Sequence, residues 1–433
     1  MSIFDFWRKN KEKEKLKVKY EEVKLRVKYE ELKQAYKYED AIPIGIKIVE
    51  LVKEKNWRVF YLNDLGILCD NIGKYDNALK YYNDALKIAR DIKDLAGEGT
   101  ILGNIGITYR KIGKYDDAQK YYEDALKIAR EIKDWAGEGT ILNYIGGIYD
   151  DLGKYDDAQK YYEDALKIRR EVKDRAGEGT ILSNIGIIYR KKGKYDDALK
   201  CYDDALKIRR EIKDRAGEGA TLNNIGFTHD NRGEYDKAQK CYDAALKIAR
   251  EIKDRANEGS TLNNSGLTYT HLGKYDKALE CYEDALKIAR GIKDRVVEAR
   301  TLNNMGLTYS NRVEYDKALK YYEYALKIAR EIKYREVEGR ALNNIGEIYG
   351  RLGKYEDALK YYEDALKIRR EIKDRAGEIV THLNIGSLVI DKDKDKAYKD
   401  GGEAKRIIEE IKIEKYPAGK KFLEIAENLI EGK

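Results

Sequence analysis

The chain has 433 residues, 42% hydrophobic and 38% charged: ample for a buried core, too charged for a body of membrane spans, and with no run approaching 18 apolar residues. No early charged, apolar and small-residue order marks a secretory leader, so a cytoplasmic address is expected. The net charge of +7 is concentrated in residues 8 to 37, which hold twelve Lys and Arg against six Glu; the nearly neutral remainder argues against a nucleic-acid-binding body.

That basic arm is the first predicted element. Leu16, Tyr20, Val23 and Val27 recur at helical spacing and predict a helix that caps the array following it. Ahead of it, IFDFW (3 to 7) places four large apolar residues near a chain end. They are expected to cover the open end of the array, with docking a partner or touching a membrane surface as other readings. KYEDA at 37 to 41 echoes KYDDA at 114 to 118, so residues 1–54 are read as a basic capping helix and a degenerate repeat.

From 55 to 380 the sequence repeats itself every 40 residues, and a period of that size means an array of stacked supersecondary units. Gly66, Gly106, Gly146, Gly186, Gly226, Gly266, Gly306, Gly346 and Gly386 keep the register, as do alanines from Ala78 to Ala358. Each unit reads as two helices. In EGATLNNIGFTHDNRGEYDKAQKCYDAALKIAREIKDRA, from Glu218, the first carries Leu222, Ile225 and Gly226 on one side, and Gly233 closes it. The second runs from about Tyr235 to Ile252, roughly 27 Å at 1.5 Å per residue, with Ala238, Tyr242, Ala245, Leu246 and Ile248 inward. The two prolines, Pro43 and Pro417, lie outside this stretch. A single helix pair cannot bury its apolar face alone, so eight stacked units form an all-α solenoid. Residues 381–433 supply a partial repeat at THLNIG and C-terminal capping helices.

Leu102, Gly106, Tyr109, Ala118, Tyr122 and Ala125, with their counterparts 40 apart, resemble the pattern of the tetratricopeptide repeat (TPR). The 40-residue unit, against the usual 34, is similar to that of the Pins/LGN/AGS3 polarity scaffolds, and TLNN is similar to kinesin light chain repeats. The resemblance implies a right-handed superhelical alpha-solenoid of helix-turn-helix repeats with a concave peptide-binding groove.

In the first helix of unit five, Ala220, Asn224, Phe227 and Asn231 face away from the packed side at spacings of 4, 3 and 4, with Asn223 beside them. In TPR proteins that stripe is similar to the one lining the groove. The inner asparagine recurs as Asn104, Asn184, Asn224, Asn264, Asn304, Asn344 and Asn384, and its neighbour as Asn223, Asn263, Asn303 and Asn343. Asparagine costs about 0.5 kcal/mol in a helix interior, so its repetition asks for a reason. A carboxamide offers donor and acceptor together and can pair with a peptide backbone of any sequence; alternatively it only satisfies polar atoms within the array. Specificity is expected from positions that vary: Arg110 and Lys111, then Asp150 and Asp151, then Arg190 and Lys191, with Arg300 and Arg340 further on. This mosaic suits an extended peptide of mixed charge. The carboxylate clamp of chaperone-binding TPR domains does not fit, because its lysine positions fall on Phe60, Thr100 and Gly103.

Catalysis and cofactors find no support. His229, His271 and His382 occupy three different repeat positions, and Cys201, Cys241 and Cys281, one repeat apart, are too distant for a shared zinc ion or a disulfide. DKDKD at 391 to 395 lacks the glycine and glutamate of a calcium loop. The reading is a non-enzymatic scaffold, monomeric or weakly self-associating, that binds a protein or peptide partner without nucleic acid or stable membrane insertion; the alternative is a peptide-responsive regulator or a self-assembling structural solenoid.

Overall fold

The computed structural model describes residues 3–35, 37–415 and 417–432, with side chains from Lys17 onward except at 417 and 418. Among these residues every regular element is a helix. Eight pairs of 17-residue helices repeat at intervals of 40: first helices from Lys55–Asn71 to Arg335–Arg351, second helices from Tyr75–Asp91 to Tyr355–Glu371. Pair five is Arg215–Asn231 and Tyr235–Glu251, within a residue of the expected end. Helices at Ile3–Gln34 and Tyr38–Leu51 precede the pairs, and helices at Arg375–Val389, Lys394–Glu410 and Pro417–Glu431 follow.

Local chemistry sets the boundaries. Asp214 accepts a hydrogen bond from Gly217 N at 2.9 Å, capping the first helix of pair five, and Asp134, Asp174, Asp254, Asp294 and Asp374 cap the equivalent helices. Gly233, at φ +78°, terminates the helix in the left-handed conformation glycine adopts freely. Asp393 caps the helix that begins at Lys394, accepting from Lys396 N at 2.9 Å, so DKDKD is a helix start.

Within each pair the helices approach where glycine permits it. A Cβ on Gly226 would stand 2.7 Å from Tyr242 Cε1, and the same relation joins Gly186 to Tyr202 and Gly266 to Tyr282. Tyr242, Tyr202 and Tyr282 are fully buried there, as are Ala238, Ala198 and Ala278.

The chain forms two compact units, 1–109 with 116–133, and 110–115 with 134–433. In the first, the N-terminal helix packs through Leu25, Tyr29 and Leu32 against Ala41 and Ile48. This corrects the expected capping face: Tyr20, Val23 and Val27 are exposed, Tyr20 by 73%, because the register of that helix is set by Tyr29, whose ring enters the core edge-on to Tyr61 at 5.9 Å. The side chains of Ile3 to Trp7 lie outside the described residues. In the second unit the array returns to itself: Lys415 Nζ is 2.5 Å from Asp156 Oδ2, 259 residues earlier, and Tyr155 packs beside Ile411 and Ile413. Burial there pushes the Tyr155 hydroxyl up to about 12.

Ion pairs between helix ends recur through the array. Glu218, buried at a first-helix start, accepts from Arg210 Nε at 2.8 Å and from Arg215, which also reaches Glu251 at 2.7 Å. The arrangement returns around Glu178, Glu298 and Glu338.

Candidate functional site

From Arg175 onward, successive first helices of the second unit touch one another while the second helices of neighbouring pairs stand apart, which puts the first helices on the inner side of the curve. On them, Asn184, Asn224, Asn264, Asn304, Asn344 and Asn384 share one repeat position, each half-buried. Beside them Ile187, Phe227, Leu267 and Leu307 form a half-buried apolar row. A surface of carboxamides next to aliphatic and aromatic side chains can take both a peptide backbone and its apolar side chains.

The carboxamides also bond along the array. Asn184 donates to Asn143 at 2.7 Å, Asn264 to Asn223 at 3.2 Å, Asn304 to Asn263 at 3.0 Å, Asn344 to Asn303 at 3.1 Å and Asn384 to Asn343 at 3.2 Å. In the first unit Asn104 donates to Asn63 at 2.9 Å. Each bond spans 41 residues, joining the inner asparagine of one repeat to the outer one of the repeat before. Asn263, Asn303 and Asn343 are buried. One N–H of each inner carboxamide is thereby committed and the other remains. Asn224 breaks the series: residue 183 is serine, whose hydroxyl donates to Gly179 O at 3.0 Å, and the Asn224 side chain has no partner among the described residues.

The charged positions engage one another. Arg110 forks onto Asp151 at 2.6 and 3.1 Å, and burial still pushes the Asp151 carboxyl up against the opposing pull of Arg110. Lys191 pairs with Asp150 at 2.7 Å, while Arg190 lies over the Phe227 ring, 4.5 Å from its centroid. Arg340 holds Glu336 at 2.6 Å. Lys111 is exposed, as is Arg300, which has no partner among the described residues.

Several polar groups at the floor are legible only in three dimensions. Asp230 is buried, accepts from Thr268 Oγ1 at 2.6 Å, and faces His271 Nδ1 at 3.1 Å; the hydrogen bond to Asp230 holds the His271 pKa above its ordinary value. His229 pairs with Glu234 at 2.6 Å and His382 with Asp400 at 2.6 Å, so each histidine has its own carboxylate. Burial raises the Cys201 thiol to about 11 and also raises those of Cys241 and Cys281, making them poor nucleophiles. Among the described residues no three His, Cys, Asp or Glu side chains group as metal ligands, and no helix is long and apolar enough to cross a membrane.

Stacked helix pairs with an inner face of recurring polar and apolar rows define an all-α helical-repeat solenoid. Tetratricopeptide repeat models match residues 61–92 and 97–171 and, in overlapping segments, 177–397. The chain belongs to the tetratricopeptide repeat family.

No curated protein sequence matches the chain. Among solved structures, it is similar to a Rap protein complexed with competence and sporulation factor, at 17% identity and a TM-score of 0.56 over 82% of this chain and 99% of that one. It is also similar to the Rap conjugation gene regulator of plasmid pLS20 in complex with the Phr* peptide, at 14% identity and a TM-score of 0.53 over 82% and 96%. Aspartyl phosphate phosphatase F from Bacillus subtilis follows at 15% and 0.52, over 82% and 95%. At these identities the likeness is one of fold.

Proposed function

We propose that the chain is a non-enzymatic peptide receptor whose inner face takes an extended segment in a concave groove. The observation that carries this reading is the row of half-buried carboxamides from Asn184 to Asn384 alongside Ile187, Phe227, Leu267 and Leu307, which supplies backbone partners and apolar seats in parallel. The carboxamide bonds between repeats hold the row in register, leaving spare N–H and carbonyl capacity for a ligand. In the stretch of Arg110, Lys111, Asp150, Asp151, Arg190 and Lys191, two ion pairs, Arg110 with Asp151 and Lys191 with Asp150, leave a surplus of positive charge.

A peptide-responsive regulator is favoured over a passive scaffold by two observations. The fold is similar to that of a conjugation gene regulator in complex with a peptide. The second unit also closes on itself through Lys415 and Asp156, a small contact that ligand-driven changes in curvature could break or tighten.

The test uses a random hexapeptide pool passed over the immobilised chain, with bound peptides eluted and sequenced. Wild type is expected to enrich a subset, and Asn224→Ala, whose side chain holds no neighbour, is expected to lose that subset at an unchanged melting temperature. Equal enrichment by the two would remove the asparagine row from the binding account.

A further inference from the structure

The N-terminal helix, Ile3–Gln34, carries two apolar stripes, and the fold uses one. Leu25, Tyr29 and Leu32 pack into the first unit against Ala41 and Ile48. Tyr20, Val23 and Val27 stand on the opposite side, since Tyr20 and Tyr29 are separated by about two and a half helical turns. Val23 is 53% exposed and Val27 56%, and Leu16 continues the register in the sequence. Spacings of 4, 3 and 4 from Leu16 to Val27 are those of the a and d positions of a heptad, the pattern by which one helix receives another. The next d and a positions are Glu30 and Gln34, so the stripe ends at Val27 and runs for roughly 16 Å.

The flanking positions set the chemistry of what can lie there. The e positions are Lys17, Lys24 and Glu31, and the g positions Lys19, Arg26 and Lys33. Arg26 is held by Glu22 at 2.5 Å and lies over the Trp57 ring, and Lys33 donates to Asp64 at 2.6 Å. Lys17, Lys19 and Lys24 are exposed and have no partner among the described residues. Glu21, at a b position, lies further from the seam than these three lysines.

We propose that this stripe is a docking site for an acidic amphipathic helix of another protein, whose a and d side chains cover Tyr20, Val23 and Val27 and whose carboxylates reach Lys17, Lys19 and Lys24. Charge complementarity selects this occupant, because charges at e and g decide which helices pair. A second copy of the chain brings cations to the same places: Lys19 and Lys24 of opposing helices would meet in a parallel pair, and Lys19 and Arg26 in an antiparallel one. Like charges so placed are destabilising. The site uses no residue of the asparagine row, so it stands or falls independently of the peptide-receptor reading.

The test titrates the full chain with two labelled three-heptad peptides that carry leucine at a and d and differ only at e and g, glutamate in one and lysine in the other. Fluorescence anisotropy reads the affinity. Wild type is expected to bind the glutamate peptide at least tenfold more tightly than the lysine peptide, with the difference shrinking in high salt. Val23→Gln combined with Val27→Gln is expected to weaken that binding at least tenfold at an unchanged melting temperature, because both side chains are exposed. Lys17→Glu with Lys19→Glu and Lys24→Glu is expected to reverse the preference, a result that a misfolded variant cannot give. Equal binding of the two peptides by wild type, or a preference that either variant leaves unchanged, overturns the docking site. A wild-type dimer in sedimentation that Val27→Glu dissociates would give the stripe to a second copy. Flotation with anionic phospholipid vesicles that the paired glutamine changes abolish would give it to a lipid surface, and either result overturns the proposal.

Discussion

Asn304 Nδ2 lies 3.0 Å from Asn263 Oδ1, so the carboxamide of one repeat is clasped by that of the repeat before it. Asn263 is buried, and removing its donor leaves an acceptor without water or partner. An unsatisfied buried polar group costs about 1–3 kcal/mol, against about 1 kcal/mol for a hydrogen bond lost with full solvation. Asn304→Ala is therefore expected to destabilise the second unit by about 1–2 kcal/mol. Asn224→Ala, which breaks no side-chain bond in the described structure, should fall within about 0.5 kcal/mol of wild type, as surface changes do. Urea unfolding of the two variants decides it, and equal losses would dismiss the clasp as a source of stability.

Val313 occupies the loop position that is glycine in the other seven pairs, and it holds φ +62°. A β-branched residue pays a steric cost of roughly 1–2 kcal/mol in the left-handed region, only partly offset because glycine gives the unfolded chain more freedom. Its side chain is 66% exposed, so little packing is forfeited. Val313→Gly is expected to stabilise by about 1 kcal/mol and raise the melting temperature by a few degrees. A lower melting temperature would mean the valine makes a compensating contact.

How much of this was legible in the sequence follows from what a 40-residue period contains. It fixes which positions are equivalent, so Gly226 against Tyr242, the ends of both helices and the row containing Asn224 follow from spacing and small residues. It does not say which neighbour a polar side chain turns to. The clasp has a spacing of 41, visible in hindsight because Asn264, Asn304 and Asn344 each follow a repeat with asparagine at the outer position, whereas Asn224 follows Ser183. Glu218 was missed because Arg210, eight residues earlier, meets it only after the chain has turned between helices, although Arg215, three residues earlier, lies on the same helix. Tyr20, Val23 and Val27 gave a helical period but not the face, since Leu25, Tyr29 and Leu32 offer a second stripe on the same helix and burial against Ala41 and Ile48 chose it.

His271 faces the buried carboxylate of Asp230 at 3.1 Å, with Thr268 on the same carboxylate and the Tyr235 ring 6.0 Å away. The hydrogen bond to Asp230 raises the histidine's folded-state pKa above its ordinary 6.5. A raised pKa means that the folded state binds the proton more tightly, so this stabilisation is complete below about pH 6.5 and is lost as pH climbs through the folded value. The melting temperature of wild type should fall between pH 6 and pH 8 by more than that of His271→Asn. Parallel pH profiles for the two would show that the pair contributes nothing through its charge.

Glu218 has the opposite sign. Burial raises its pKa, but hydrogen bonds from Arg210 and Arg215 outweigh that and hold it below the ordinary 4.5. A lowered pKa gives stability that is present above about pH 4.5 and lost as pH falls through the folded value. Both arginines are substantially exposed, 58% and 39% along their side chains, so solvent screens them and each pair belongs with the weak surface ion pairs. Glu218→Gln is expected to lower stability modestly at pH 7 and to converge with wild type near pH 3, where the wild-type carboxylate is itself being protonated. Added salt should narrow the pH 7 difference, because partly exposed pairs are screened. A gap between the two proteins that persists undiminished at pH 3 would assign the role of Glu218 to the packing of its stem and not to its charge.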